Sequence, residues 1–187
     1  LSGRSFAPHE VNWIECRVLP GALRPLKFDR PSNGHEARFS MQYVLAAAVI
    51  DGKIGLESFS EEAVQRADIN AMIEKILVVE DPDCRKEMDG REFDNKLGMA
   101  TRGYVQVTLR TADSRPQVER VYAGVGSPAA PLGWEELRSK FVDCVAANGV
   151  GQDLAEAAYD RLKDLRNVPD VSALLMSVHA PQAVLGP

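Results

Sequence analysis

Hydrophobic and polar positions follow three different rhythms along the chain. Residues 10–19 (EVNWIECRVL) alternate, with Ile14, Cys16 and Val18 on one face and Asn12 sharing it, while Glu15 and Arg17 take the other. This is the pattern of a half-buried strand. Residues 36–50 contain no Gly or Pro, and from Phe39 onward nearly every side chain is apolar or small. About fifteen such residues are too many for a buried strand and too few to span a bilayer, so the run predicts one helix covered by protein on most sides. Ser32, Asn33 and Gly34 supply its entry, and Asp51 followed by Gly52 its stop.

Further along, Ser60 followed by two acids reads as a helix N-terminus over 61–66. Asp68 caps a second helix carrying Ile69, Met72, Ile73 and Ile76. Residues 77–80 are β-like, and 81–103 form a charged, breaker-rich surface excursion. Alternation returns over 104–111, with Val105, Val107 and Leu109 inward and Gln106, Thr108 and Arg110 outward. It recurs over 118–124, and the turn at 113–116 makes the two a hairpin. Gly, Pro and Ala dominate 126–131, marking a boundary at about residue 125. Beyond it Trp134, Leu137, Phe141, Cys144 and Val145 form one helical stripe, and Leu154, Ala157, Ala158, Arg161, Leu162 and Leu165 another. Asp170 caps a third helix with Val171, Leu174, Leu175 and Val178. The expected fold class is α+β: a small mixed or antiparallel sheet packed by a long buried helix over 1–124, then C-terminal helices over 125–187. Three amphipathic helices exceed what so small a sheet can take, so part of their apolar surface is expected to face a partner.

Composition narrows the function classes. The 187 residues are 45% hydrophobic and 26% charged, ordinary for a soluble globular chain. No leader-like segment opens the chain and no apolar run reaches about eighteen residues, so neither secretion nor a membrane partner is expected. Three scattered cysteines, with no C-x-x-C, fit reduced thiols in a cytoplasmic protein. A net charge of −5 speaks against a nucleic-acid partner. Three histidines at unrelated positions give no metal constellation, and no P-loop, G-x-G-x-x-G or G-x-S-x-G occurs.

The charge is unevenly spread. Between Arg17 and Arg38, five cations (Arg17, Arg24, Lys27, Arg30, Arg38) stand against two acids, Asp29 and Glu36, with His35 alongside. Such an island either attracts a small polycarboxylate or is a solvated basic loop. At the helix entrance His35, Arg38 and Gln42 are spaced as one polar stripe, which either faces a ligand or fixes the loop internally. Tyr43, one turn further in, reads mainly as core.

The stretch HEARFSMQYVLAAAVIDGKIGLESF, residues 35–59, closely resembles the motif opening the main helix of the second domain in the MmgE/PrpD family. That family includes 2-methylcitrate dehydratases, cis-aconitate decarboxylases and related epimerases. A second anchor, GSPAAPLGWEELRSKF at 126–141, is similar to the family's G-x-P-x-x-P-L-x-x-x-E-L-x-x-K-F segment. The resemblance implies the C-terminal, lid-like portion of a lyase that dehydrates a polycarboxylate such as 2-methylcitrate with no cofactor. It also implies a homodimer, and residues 125–187 packing on an N-terminal helical domain of the same protein. The principal acid–base histidines and lysine would precede Leu1, so this chain alone is expected to be inactive. Substrate-binding candidates are then His35, Arg38, Arg24, Lys27, Arg30 and Tyr43. Arg24 stands where some decarboxylase relatives place a polar aromatic, a departure from the decarboxylase pattern. The alternatives are a family epimerase or decarboxylase, or a free-standing binding or dimerisation module without catalysis.

Overall fold

A computed structural model describes residues 6–86, 103–112 and 115–177. Most of the excursion expected over 81–103 lies outside these residues, as do Asp113, Ser114 and Val178. The chain divides into two units, Leu1–Gly124 and Val125–Pro187.

The first unit is built on a four-stranded mixed sheet of order β2-β1-β3-β4. Strand β1 is Val11–Val18, β2 Ile76–Glu80, β3 Val105–Thr111 and β4 Gln117–Val121. Strands β1 and β2 are parallel, with Ile14 opposite Ile76 and Cys16 opposite Val78. Strand β3 runs antiparallel to β1 and forms the expected hairpin with β4. A parallel pair needs a long crossover, and four helices fill it: α1 (Gly34–Ala37), α2 (Met41–Asp51), α3 (Glu61–Val64) and α4 (Ala67–Ile73). Ile14, Cys16, Val18, Ile76, Val78 and Leu109 from the sheet close on Tyr43, Ala46 and Ala47 of α2 and on Ile69, Met72 and Ile73 of α4. From Met41 to Ile50 every residue of α2 is buried or half-buried, as its composition predicts. Burial pushes the Cys16 thiol up to about 11, so it behaves as a small apolar side chain.

Several local expectations need correction, among them Ile76, which opens β2 because α4 ends at Ile73 and the helical stripe stops there. The run over 36–50 is two helices rather than one. Phe39 and Ser40 close the end of α1 with N–H bonds to Glu36 and Ala37, and the buried Ser40 hydroxyl then accepts the Tyr43 N–H at 3.1 Å, capping α2. A side-chain oxygen offering the backbone a local partner ends one helix and starts the next. In β1 the register shifts between Val11 and Trp13, so Val11 is buried and Asn12 exposed. One extra residue reverses the alternation on one side of a bulge. Helix α4 begins at Ala67, and Asp68 sits in its first turn instead of capping it. There Arg66 holds the Asp68 carboxyl below the usual carboxylate range and grips both oxygens of Asp51, at 2.8 and 3.0 Å. That guanidinium ties the end of α2 to the start of α4.

In β3, Thr108 is nearly buried although its position predicts an outward residue; it lies in register between Glu15 and Val118.

The second unit contains α5 (Trp134–Ala146), α6 (Gln152–Lys163) and α7 (Val171–Ser177). Asp170 accepts the Ser172 N–H at 2.8 Å at the entry to α7. The buried face of α6 is Ala155, Ala158 and Tyr159, while Leu154, Ala157 and Arg161 are exposed. Helix α6 is thus turned by about one residue, roughly 100°, from the predicted stripe. The Tyr159 ring explains the rotation: it lies 5.8 Å from the Phe141 ring, and its hydroxyl donates to the Trp134 carbonyl. Burying an aromatic with a satisfied hydroxyl outweighs burying Leu154. Trp134, Leu154, Leu175 and Met176 remain exposed on this unit.

Candidate functional site

The loop that leaves β1 is where the sequence concentrates positive charge, and the structure sorts its cations by partner. Arg17 is engaged by Glu15 and by Asp81, the latter at 3.1 Å. Arg30 donates to Glu74 at 2.6 Å. Glu74 precedes β2 and Glu80 ends it, so Arg30 and Arg24 stand at opposite ends of a strand about 13 Å long. The basic island is therefore not one cluster. Arg30 serves the fold through Glu74, at the opposite end of β2 from the turn that carries Arg24.

Among the described residues Arg24, Lys27 and Arg38 form no ion pair or hydrogen bond through their side chains, and all three are exposed. A backbone bond from the Phe28 N–H to the Phe39 carbonyl, 3.4 Å, stitches the loop to the α1–α2 junction. Lys27 and Arg38 are each one residue from that bond. His35, exposed on α1, lies against Phe39 with ring centroids 5.4 Å apart. The break at Ser40 is what exposes this corner. On one continuous helix His35, Arg38 and Gln42 would share a stripe; here His35 is on α1, Arg38 ends it, and Gln42 on α2 donates to Asp29 at 2.8 Å.

Local bonds fix the corner. Asn33 accepts the Glu36 N–H at 3.0 Å, and Glu36 accepts both the backbone N–H and the hydroxyl of Ser32, at 2.7 and 2.9 Å. Those donors hold the Glu36 carboxyl below the ordinary range. Those donors are neutral, so Glu36 keeps its charge, and Asp29 is bonded to the neutral Gln42 amide; Lys27, Arg38 and His35 stand at a corner that also carries these two acids, with no ion pair among them. Further back in the loop, Glu80 accepts the Leu23 N–H at 3.1 Å.

Tyr43 does not join this corner. It is fully buried on α2, burial raises its phenol, and its hydroxyl donates to the Ser58 carbonyl. Tyr43→Phe is expected to cost about 1 kcal/mol in urea unfolding, the worth of one internal hydrogen bond, while ligand affinity stays unchanged. A loss of affinity without loss of stability would return Tyr43 to the site.

Sequence reasoning missed the acids that decide which cations stay free. Glu74 lies 44 residues from Arg30 and Glu80 lies 57 from Leu23, and no periodicity carries such pairings. A concavity of about 560 Å³ opens elsewhere in this unit, lined by Asn12, Trp13, Glu15, Glu74, Lys75 and Leu77. Its two carboxylates, Glu15 and Glu74, are already paired with Arg17 and Arg30, and the Lys75 ammonium donates to the Val11 carbonyl at 2.7 Å, so its lining offers an anionic ligand no uncommitted cation. No group of His, Cys, Asp and Glu suited to a metal ion occurs among the described residues, and no described helix is long and apolar enough to cross a membrane.

The family described as MmgE/PrpD C-terminal domain matches residues 2–164. Cis-aconitate decarboxylase of Mus musculus is 28% identical over 151 residues, covering 81% of this chain and 28% of the relative. Cis-aconitate decarboxylase of Homo sapiens is 27% identical over 151 residues, covering 81% and 29%. The chain spans less than a third of the length of these relatives. On the strength of that match, which takes in both the β1–α2 region and the start of the second unit, the chain belongs to the MmgE/PrpD family through its C-terminal domain.

Proposed function

We propose that this chain is the lid portion of a cofactor-independent lyase acting on a small polycarboxylate, with dehydration of 2-methylcitrate as the reaction. The observation that carries the reading is the edge formed by Lys27 and Arg38, exposed and without an ion pair among the described residues, with His35 on the same helix end as Arg38, while Arg17 and Arg30 are paired with acids of the same unit. Removing a proton from carbon next to a carboxylate is difficult while the substrate keeps its full negative charge. Cations that meet the carboxylates lower that barrier by offsetting charge as it builds. Proton transfer at carbon then falls to groups of an N-terminal helical domain, with this domain closing the cleft over them and the complete protein acting as a homodimer. A second reading, decarboxylation of cis-aconitate, is favoured by the names of both curated relatives.

The complete protein carrying this chain is expected to turn over 2-methylcitrate, followed as loss of substrate, with cis-aconitate tested in parallel by release of carbon dioxide. Preference for cis-aconitate selects the second reading. Turnover of neither removes both. The isolated 187-residue chain is expected to show no lyase activity, and ordinary enzymatic rates from it would place the acid–base groups here instead of upstream.

A further inference from the structure

The turn that carries Arg24 is held by a carboxylate from another strand. Because β1 and β2 are parallel, Val18 and Glu80 lie opposite each other at the end where both chains leave the sheet. There the loop after β1 folds tightly: the Ala22 N–H returns to the Leu19 carbonyl at 3.0 Å, and the Arg24 N–H to the Gly21 carbonyl at 3.3 Å. Gly21 has φ +90, a conformation that favours glycine, and the Arg24 Nε lies 4.0 Å from where a β-carbon at Gly21 would stand. Glu80 closes the turn from outside by accepting the Leu23 N–H at 3.1 Å. Backbone donation from Gly21 and Leu23 keeps that carboxyl below its ordinary range, with Arg24 adding to the effect from a distance. Glu80 and Arg24 form no ion pair, so the turn that carries Arg24 is held through its backbone and the guanidinium is not consumed.

We propose that Glu80 is a positioning residue for polycarboxylate binding: by clamping the turn over residues 21–24 it sets where the Arg24 guanidinium stands relative to Lys27 and Arg38. The proposal deepens the polycarboxylate reading of this edge and rests on it. Glu80 itself touches no ligand and acts through Arg24. Without the clamp the turn keeps only its two local backbone bonds, and a long cationic side chain on a loose loop gives up more freedom on binding.

The test is calorimetric titration of tricarballylate, a tricarboxylate that does not react, into the complete protein. Arg24→Ala and Glu80→Ala are each expected to weaken binding about fivefold, the size of one hydrogen-bonded contact. Glu80→Gln keeps an oxygen that accepts the Leu23 N–H and is expected to restore affinity to within about twofold. In an Arg24→Ala background, Glu80→Ala is expected to add nothing, because both changes remove the same oriented charge. Glu80 is exposed at a strand end, so Glu80→Ala is expected to fold; Glu80→Asn, one methylene too short to reach Leu23, reads the same loss in a second variant. Wild-type affinity in both Glu80→Ala and Glu80→Asn, or equal losses in the two backgrounds, overturns the positioning role alone. Absence of tricarballylate binding to the wild type overturns the polycarboxylate reading of the edge and the Glu80 role with it, whereas unchanged affinity in Arg24→Ala removes Arg24 from the site and overturns the Glu80 role while leaving the Lys27 and Arg38 reading standing.

Discussion

Gly34→Ala is expected to destabilise the protein by about 3 kcal/mol or more, at the upper end of what overpacking costs. A β-carbon at Gly34 would lie 2.0 Å from the Phe59 carbonyl oxygen and 3.1 Å from its carbon. Both are backbone atoms in a short 3-10 turn, Glu57–Phe59, whose exit is pinned where Ser60 caps α3 by accepting the Ala63 N–H. Neither neighbour can rotate away as a flexible side chain would, so α1 itself must shift. Gly34 also donates its N–H to Glu61 at 3.2 Å, a bond that shift would break. Gly52→Ala is the control. Gly52 ends α2 at φ +73 with nothing within 4 Å of the added carbon, so it is expected to cost only the strain of the left-handed conformation, about 1 kcal/mol. Thermal unfolding of the two variants beside wild type checks the order, and a Gly34→Ala melting temperature equal to that of Gly52→Ala would mean that α1 does not press on the 57–59 turn. The same shift would move His35 and Arg38, which α1 and its end carry, so the stability effect and the proposed binding edge share one contact.

That coupling also explains what was legible in the sequence and what was not. Elements with a single strong rhythm were legible: β1 from the Ile14, Cys16, Val18 alternation, the β3–β4 hairpin, and α2 as a helix covered on most sides. Their signal is local, set by which face must leave water. The α1–α2 break was hidden because Ser40 lies inside an apolar run where propensity favours continuing the helix, and only the hydroxyl's bond to Tyr43 shows otherwise. The bulge in β1 was hidden for a similar reason, since Val11 and Ile14 share a buried face only when one residue is skipped. Strand order was beyond reach, because pairing β1 with β2 depends on how the whole crossover folds. For the candidate site, the sequence showed where cations concentrate along the chain but not which of those charges are spent. Arg30 and Arg24 look equivalent along the chain; Glu74 neutralises one and Glu80 orients the loop of the other.

Arg38→Ala in the complete protein is expected to lower kcat/KM for the polycarboxylate about tenfold or more, with kcat falling as well as KM rising, and to leave the melting temperature nearly unchanged. A charge-assisted contact between a guanidinium and a carboxylate contributes roughly 1.5–3 kcal/mol, and each 1.4 kcal/mol is a factor of ten in affinity. The stability half of the expectation follows from the fold: Arg38 is exposed, it has no ion pair among the described residues, and the bonds that close α1 around it come from backbone groups and from Asn33 and Ser40. Arg38→Lys separates charge from shape. Lysine keeps the positive charge without the planar two-pronged donor, so it is expected to recover part of the loss. Lys27→Ala, across the Phe28–Phe39 bond, is expected to cost less alone, because an ammonium meets a carboxylate as a point charge. Combined with Arg38→Ala it is expected to cost less than the two single losses together if both cations hold one ligand. Unchanged kinetics in Arg38→Ala with a lowered melting temperature would make the corner a structural device, with Arg38 fixing the junction between two helices and the ligand bound elsewhere.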